Sequence, residues 1–509
     1  MLDLPALSVT WTLVLLVITL LFIYGVWPHG FFKKLGIPGP RPWPFFGTFL
    51  SYTKGFFNFD MECAKKYGKV WGIYDGRLPI LMVTDLEMIK VIMVKECYST
   101  FTNRRETNAD LAGPFADGIT VVKDERWKRI RSSLSPYFTS GRLKEIFPIA
   151  VTHADRFIKN MQKKDEQPVK VKEVVAPYSL DVVTSSSFSV DIDSINNADD
   201  PFVTNIKKFF KFSLFNPLIL ILALFPSVAN LLGKMGISLF SRSYLEFFYN
   251  VLKKIKDEHN KESNGRVDFL KLMLQNQIPG DHFEDTDKTF FTSQPAKGLT
   301  DHEILSQSLV FILGGYETTS TTLTYLLYNL ATNPDCLEKL VEEIDTNFPP
   351  DTPITYDALM KMDYLEMAIN ESMRLLPTAP RLERSSKKTV ELNGVTIPKD
   401  TLVGIPTYVL CRDPQLWESP DEFRPERFSP ESKSEINQYA FLPFGLGPRN
   451  CIGMRFAQMI MKLLVVKLLQ NFNMETCKET QIPLEMNAAF QPKVPITLKF
   501  IPRSHKAKQ

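Results

Sequence analysis

The sequence predicts a mainly α protein with small β-sheets and a single N-terminal transmembrane helix. Three observations carry that prediction. Residues 6–27, ALSVTWTLVLLVITLLFIYGVW, form an uncharged run long enough to cross a bilayer. Beyond residue 47 most segments place apolar residues at helical spacing, and the longest such run covers 300–333. Strand patterns are confined to short stretches around the turn signals Asp75-Gly76 and Asn393-Gly394. The chain has 509 residues, 44% of them hydrophobic, with no repeat of fixed period, so one large body with an ample core is expected. Net charge is +3 with acids and bases mixed along the chain, which argues against a nucleic-acid partner. The six cysteines contain no C-x-x-C pair, which argues against a zinc site or a disulfide framework and suits a reducing compartment.

As a helix rising about 1.5 Å per residue, the first run spans roughly 33 Å against a hydrocarbon core of about 30 Å. A cleaved signal peptide needs a basic start and a small-residue cleavage site, whereas Asp3 precedes this run and Trp27-Pro28-His29 follows it. Lys33 and Lys34 lie beyond it, so the positive-inside bias puts the rest of the chain in the cytosol. Residues 1–28 are therefore read as an uncleaved anchor. Prolines 38, 40, 42 and 44 make 29–47 a stiff, extended hinge, 48–503 is the body, and 504–509 is a short basic tail.

Within the body, 69–75 and 78–84 read as a hairpin, and so do the segments flanking Asn393-Gly394. In RWKRIRSSL, Trp127 and Arg131 stand at i and i+4, an indole N–H and a guanidinium on one face that suit a carboxylate. The apolar, aromatic stretch 209–226 is too short to cross a bilayer; a core helix and a lipid-dipping or substrate-entry surface are both open. Residues 279–300 are polar and read as a surface loop. His302-Glu303 lacks the second histidine of a zinc-protease helix.

Thr300 and Glu303 form a capping box, which predicts a helix from there to about Asn333. In its middle stands GGYETT, residues 314–319, where each glycine costs about 1 kcal/mol relative to alanine unless something approaches the backbone closely. Gly314 and Thr318 share a face, and Glu317 adds a carboxylate beside the hydroxyl. Such a pair beside a local opening could pass protons into an apolar cavity; in an ordinary helix the threonine back-bonds to the preceding turn. Downstream, Glu371 and Arg374 are placed to pair on one helix face, and Arg427 from a proline-bounded loop could clamp them.

The stretch PFGLGPRNCIG, residues 443–453, sets Cys451 beside Arg449 and at the start of a long apolar run. A helix beginning at the sulfur and nearby cations both favour a thiolate. Gly445, Gly447 and Gly453 let the backbone approach a flat, bulky group. A lone thiolate with no nearby histidine completes neither a zinc nor an iron–sulfur site. A haem iron needs only one strong protein ligand when its other face must stay open.

With these residues in place the chain resembles the cytochrome P-450 haem-thiolate monooxygenases. Phe444, Gly447, Arg449, Cys451 and Gly453 meet F-x-x-G-x-R-x-C-x-G; Glu371/Arg374 meet E-x-x-R, Trp127/Arg131 meet W-x-x-x-R, and 314–319 meets the oxygen-side helix motif, in family order. FTNRR, SPYFTSGRLKE, RLERSSKK and FGLGPRNCIGMRFA are similar to the vertebrate 3A subfamily, known for broad steroid and drug oxidation. The resemblance implies the P-450 fold, with 48–503 as the haem-thiolate domain and haem b ligated by Cys451. It implies propionate contacts from Arg104, Trp127, Arg131, Arg384 and Arg449, and proton delivery to O2 by Glu317 and Thr318. It also implies a cavity lined by Phe115, Thr120, Val121, Phe311, Leu313, Gly314, Ala379, Ala488 and Ala489. Gly314 stands where alanine is usual and Leu313 where the subfamily has phenylalanine, so both are expected to enlarge the space over the iron. Electrons are expected from NADPH through a membrane-bound NADPH-cytochrome P-450 reductase, with cytochrome b5 as a second donor, at the endoplasmic reticulum; Lys95, Lys128 and Arg129 are candidates for the docking face. The partners so implied are the lipid bilayer and lipophilic small molecules, with no nucleic acid. A haem-thiolate isomerase of lipid peroxides and a non-catalytic haem or lipid-binding protein are the alternatives; NADPH dependence separates the first, and the intact Glu317-Thr318 pair has no purpose in the second.

Overall fold

The computed structural model describes residues 9–106, 112–164, 166–209, 217–225, 242–261, 267–278, 297–349 and 352–503, with a few single positions between 226 and 241. Residues 210–216, the polar stretch 279–296 and the tail 504–509 fall outside the described residues.

Helix α1 (Val9–Val26) carries an apolar surface with almost nothing packed on it: Leu13, Val17, Leu20 and Phe22 are all more than half exposed. By length and composition this helix could cross a membrane, which is consistent with the anchor reading. Among the described residues its last turn meets the body, where a Cβ on Gly25 would lie 2.7 Å from the Phe45 ring. The hinge departs from the expected extended connector. Its first part, Phe31–Lys34, is a helical turn, because the prolines begin only at 38. From Pro38 the chain lies along the sheet, with Gly72 N–H donating to Pro38 O at 2.8 Å. The hinge is an edge of the body rather than a free spacer.

Among the described residues nine strands form three small sheets: β1 (Val70–Asp75), β2 (Leu78–Val83), β3 (Val169–Lys170), β4 (Leu382–Ser385), β5 (Val390–Leu392), β6 (Val395–Ile397), β7 (Leu402–Ile405), β8 (Phe472–Thr476) and β9 (Thr497–Pro502). The Asp75-Gly76 hairpin is as expected, in register from Val70↔Val83 to Asp75↔Leu78, with Gly76 at φ +61. Asn393 and Gly394 both take positive φ and close the second hairpin. The parallel pairing of β2 with β7 and the antiparallel pairing of β7 with β4 bring Leu382, Glu383 and Arg384 to the central cavity.

The rest is mainly helical; the elements used below are α2 (Phe56–Tyr67), α3 (Asp124–Leu134), α4 (Ser140–Gln162), α5 (Val171–Phe188), α6 (Pro217–Leu224), α7 (Asp301–Ala331), α8 (Asp363–Leu375) and α9 (Met454–Asn471), with further helices, among them Pro201–Phe209, Arg242–Lys261 and Pro334–Asn347, and shorter turns between them. The long helix α7 is continuous, and both bonds of the Thr300/Glu303 capping box form, at 3.2 and 3.0 Å. It runs through the core against α5, α8 and α9. The two glycines at its centre do different things. A Cβ on Gly315 would collide with Val183 of α5, whose Ser179 hydroxyl also donates to Gly315 O at 2.6 Å. A Cβ on Gly314 would meet nothing within 4 Å. Gly315 is there for helix packing, and Gly314 borders empty space.

Helix α5 carries one buried group that works against the fold. Asp181 accepts from Ser194 N–H at 2.8 Å through Oδ1, while its fully buried Oδ2 has no partner. Burial pushes its carboxyl up from 3.8 to about 6. A carboxyl raised on folding lowers stability as pH rises through that interval, by on the order of 3 kcal/mol in full. Asp181→Asn is therefore expected to raise the thermal midpoint at pH 7.5, with the gain shrinking by about half at pH 5; a scanning-calorimetry series over pH checks it.

Candidate active site

The loop from Pro443 to Gly453 is shaped by two left-handed glycines, Gly445 at φ +70 and Gly447 at φ +71. A Cβ on Gly447 would run into the Met93 carbonyl, so only glycine lets the loop close onto the body there. Cys451 N–H donates to Phe444 O at 2.8 Å, and Asn450 N–H donates to Gly447 O at 3.1 Å. These bonds hold residues 450–453 out of the helix, so α9 starts at Met454 rather than at the sulfur as the sequence suggested. Arg449 is also not the cation beside the thiol; Arg131 and Arg104 are. Burial raises the Cys451 thiol despite the Gly453 N–H and those two arginines.

Cys451 opens onto a cavity of about 700 Å³. From α7 come Val310, Phe311, Gly314, Gly315, Thr318, Thr319 and Thr322; Phe138, Val183 and Met373 add further apolar surface. The same cavity holds Arg104, Arg131, Arg384 and Arg449, brought in from four separate segments, together with Trp127 and Phe444. Arg131 donates to Asn450 O and Oδ1 at 2.7 and 2.8 Å; Arg384 donates to Glu383 O, and Arg449 to Val122 O, with its guanidinium 4.8 Å over the Trp127 ring. None of the four is ion-paired among the described residues. Arg384 Nε and Arg449 Nε and Nη1 are buried without partners. Burial, then the mutual repulsion of Arg104 and Arg384, pushes Arg449 down to about 9; burial, then Arg104, pushes Arg384 to about 10. Burial lowers Arg104 and Arg131 as well.

A buried cationic group with orphaned N–H donors needs an anion. Haem b fits this set: two propionates answer the guanidiniums, the glycine-lined loop admits a flat ring, and one thiol faces the same space.

The site is fixed from behind by α8. Glu371 and Arg374 are fully buried and paired at 2.7 and 2.9 Å. Arg374 also donates to Cys411 O, Pro420 O and Glu422 O, while Arg427 reaches Glu371 at 3.2 Å and the Ser419 carbonyl at 2.7 Å. The pair is a core cluster that pins the 411–427 loop.

Of the residues expected on the substrate wall, Thr120, Phe311, Gly314 and Ala379 line the cavity. Phe115, Val121, Leu313, Ala488 and Ala489 are not part of that wall. Leu313 is one position out of phase with Gly314 and turns into the core at 6% exposure, so it adds no space. Phe115 packs on Phe209, with ring centroids 5.3 Å apart. In the turn where Val121 N–H bonds Gly118 O, Thr120 takes the cavity side instead. Ala488 and Ala489 sit in the turn that Asn487 closes. Thr318 is on the wall with its hydroxyl donating to Gly314 O at 2.6 Å, the back-bonded arrangement. Glu317 is not on it; its carboxylate pairs with Lys172 of α5. Arg129 also departs from the surface role: its guanidinium is buried against Glu303, at 2.6 and 2.8 Å, because that capping carboxylate lies inside and requires cations.

Sequence reading missed a polar rim. Arg105 joins Asp75 at 2.8 Å and Glu383 at 2.6 Å, and Arg381 grips Asp60 with two bonds of 2.6 Å. Tyr52 links the halves by donating to Asp75 at 2.8 Å. Arg105, Arg381 and Glu383 border the cavity. Only the run of charges in RLER hinted at it.

The arginine set gives a test with opposite signs. Arg449→Met should raise the melting temperature of the apoprotein by relieving repulsion, and lower haem retention roughly tenfold or more by removing a charge-assisted bond. Calorimetry of apoprotein and haem-transfer kinetics read the two. Glu371→Gln should cost about 3–5 kcal/mol by stranding Arg374, seen as loss of soluble, folded protein.

The cytochrome P450 family model matches residues 37–500. Cytochrome P450 3A40 of Oryzias latipes is 55% identical over 500 residues, covering 97% of both chains. Cytochrome P450 3A27 of Oncorhynchus mykiss is 55% identical over 96% of this chain and 94% of its own. Cytochrome P450 3A29 of Sus scrofa is 50% identical over 97% of both. A thiol loop, a cationic cavity and a buried Glu-Arg clamp, matched along nearly the whole length by 3A relatives, establish that this chain belongs to the cytochrome P450 family.

Proposed function

We propose that the protein is a monooxygenase that uses O2 and NADPH-derived electrons to oxidise steroids, drugs and other lipophilic molecules. One observation carries this reading: a single cavity joins Cys451 and the four arginines to the Gly314–Thr318 ledge, and its remaining walls near that ledge are mostly apolar. Bound there, the haem supplies oxygen activation and atom transfer.

The chain's own residues do the rest. Cys451 would ligate the iron, and Arg104, Arg131, Arg384, Arg449 and Trp127 would hold the propionates. Gly314 keeps the ledge bare so that a bulky substrate can approach, with Phe311, Thr120 and Ala379 shaping its position. Apolar walls make binding permissive and leave orientation to shape. Thr318 holds a hydroxyl at the wall, where it can hand on a proton. Glu317, one residue before it, is ion-paired with Lys172 of α5, and a proton reaching Thr318 from that side would pass through this pair.

The anchor places the body, 48–503, on the cytosolic face of the endoplasmic reticulum, where a flavoprotein reductase delivers electrons and cytochrome b5 assists. With Arg129 inside, the candidate docking cations reduce to Lys95 and Lys128, the latter already paired with Glu125 at 2.6 Å.

Reconstitution with reductase, NADPH and testosterone tests the reading; a hydroxylated steroid that requires NADPH is expected, and turnover of a peroxide without NADPH would overturn it. Thr318→Ala should keep NADPH consumption but divert it to peroxide, cutting product per NADPH by an order of magnitude or more. An unchanged ratio removes Thr318 from proton delivery.

A further inference from the structure

The joint between anchor and body is built in detail that a tether does not need. Tyr24, in the last turn of α1, has the Arg77 guanidinium 3.5 Å from its ring centroid. Arg77 Nε also donates to Tyr24 O at 3.1 Å, occupying a carbonyl at the C-terminal end of the helix. The Tyr24 ring stacks on Phe225 at 5.8 Å and 12°, directly after α6. Phe45 closes the group, 6.5 Å from Tyr24 and 6.2 Å from Phe225, with its N–H donating to Gly25 O at 3.1 Å. Arg77 stands in the β1–β2 turn, beside Gly76, whose carbonyl bonds the His29 ring at 3.0 Å. Asp75 of the same hairpin is bonded to Arg105 on the cavity rim.

We propose that Arg77 is a positioning residue that fixes the angle of the anchor on the body by gripping Tyr24, and that the same joint locks the anchor to α6, so that the two meet the lipid bilayer as one surface. The proposal rests on the reading of α1 as a membrane anchor. The exposed apolar residues around the joint suit an interfacial position: Trp27 is 78% exposed, Trp43 62% and Ile221 43%. The aqueous alternative leaves those indoles and the bare surface of α1 in water. A cation over an aromatic ring also discriminates in a way a flexible connector cannot, because the ring's face must point at the guanidinium. Through Asp75 and Arg105 the orientation reaches the cavity rim, so the tilt of the anchor also sets how the rim faces the membrane surface.

The test uses full-length holoprotein in oriented phosphatidylcholine bilayers, with the haem tilt read by polarised absorption and membrane insertion read separately by resistance to alkaline extraction. Wild type should resist extraction and show one narrow tilt distribution. Arg77→Ala and Tyr24→Leu should resist extraction equally, yet the population at the wild-type tilt should fall roughly two- to fivefold relative to other orientations. Arg77→Lys, which keeps the charge, should fall between. For a steroid dissolved in the bilayer, KM should rise in Arg77→Ala with kcat unchanged. Identical tilt distributions in all variants would overturn the clamp while leaving the anchor intact. Extraction of the wild type itself would overturn both.

Discussion

Four guanidiniums facing one cavity, with Arg384 and Arg449 buried and none ion-paired among the described residues, are the constraint on which the rest of this structure turns. Each is desolvated, several donors are orphaned, and the nearest neighbours of like charge are one another. A protein keeps such an arrangement only if something anionic completes it. That requirement explains features that look unrelated in the chain. Helix α3 must present Arg131, β4 must present Arg384, and the cysteine loop must bend through two left-handed glycines to bring Arg449 and Cys451 to the same place. The buried Glu371–Arg374–Arg427 cluster is ion-paired and bonds the carbonyls of 411–422, which fixes that loop behind the cavity.

The cavity divides into regions with different physics. Around Gly314 it is apolar and bare, which favours lipophilic molecules and makes few demands on their orientation. At the rim, Arg105 pairs with Asp75 and Glu383, and Arg381 pairs with Asp60, so both cations are already answered within the protein. The long helix α7 serves both core and cavity. Its Gly315 face packs on α5 and its Gly314–Thr318 face borders the cavity, so one uninterrupted helix serves core packing and cavity wall in adjacent residues.

What the sequence disclosed was local. The two hairpins were legible because Asp-Gly and Asn-Gly turns enforce positive φ, and the long helix because its capping box marks the start. Cys451 stood out because no second metal ligand accompanied it. Trp127/Arg131 and Glu371/Arg374 were visible at helical spacing. Arg104 and Arg384 came only through resemblance, since nothing in their neighbourhoods says they converge. Leu313 shows the limit of fine detail, where one residue is about 100° of helix and moves a side chain from cavity to core. The burial of Arg129 and the pairing of Glu317 were not legible for a different reason. Each is governed by a partner distant in sequence, Glu303 and Lys172, and long-range pairing of charges leaves no periodic trace. The Asp60–Arg381 bond, between residues 321 apart, is of the same kind.

The proposal that Cys451 ligates the haem is tested most directly by one spectrum. The purified holoprotein is reduced, exposed to carbon monoxide, and compared with Cys451→His. A red-shifted Soret band of the thiolate-ligated kind in the native protein, replaced by the band of a histidine-ligated haem in the variant, is the predicted result. A histidine-type band in the native protein, or a band that the substitution leaves in place, would contradict it.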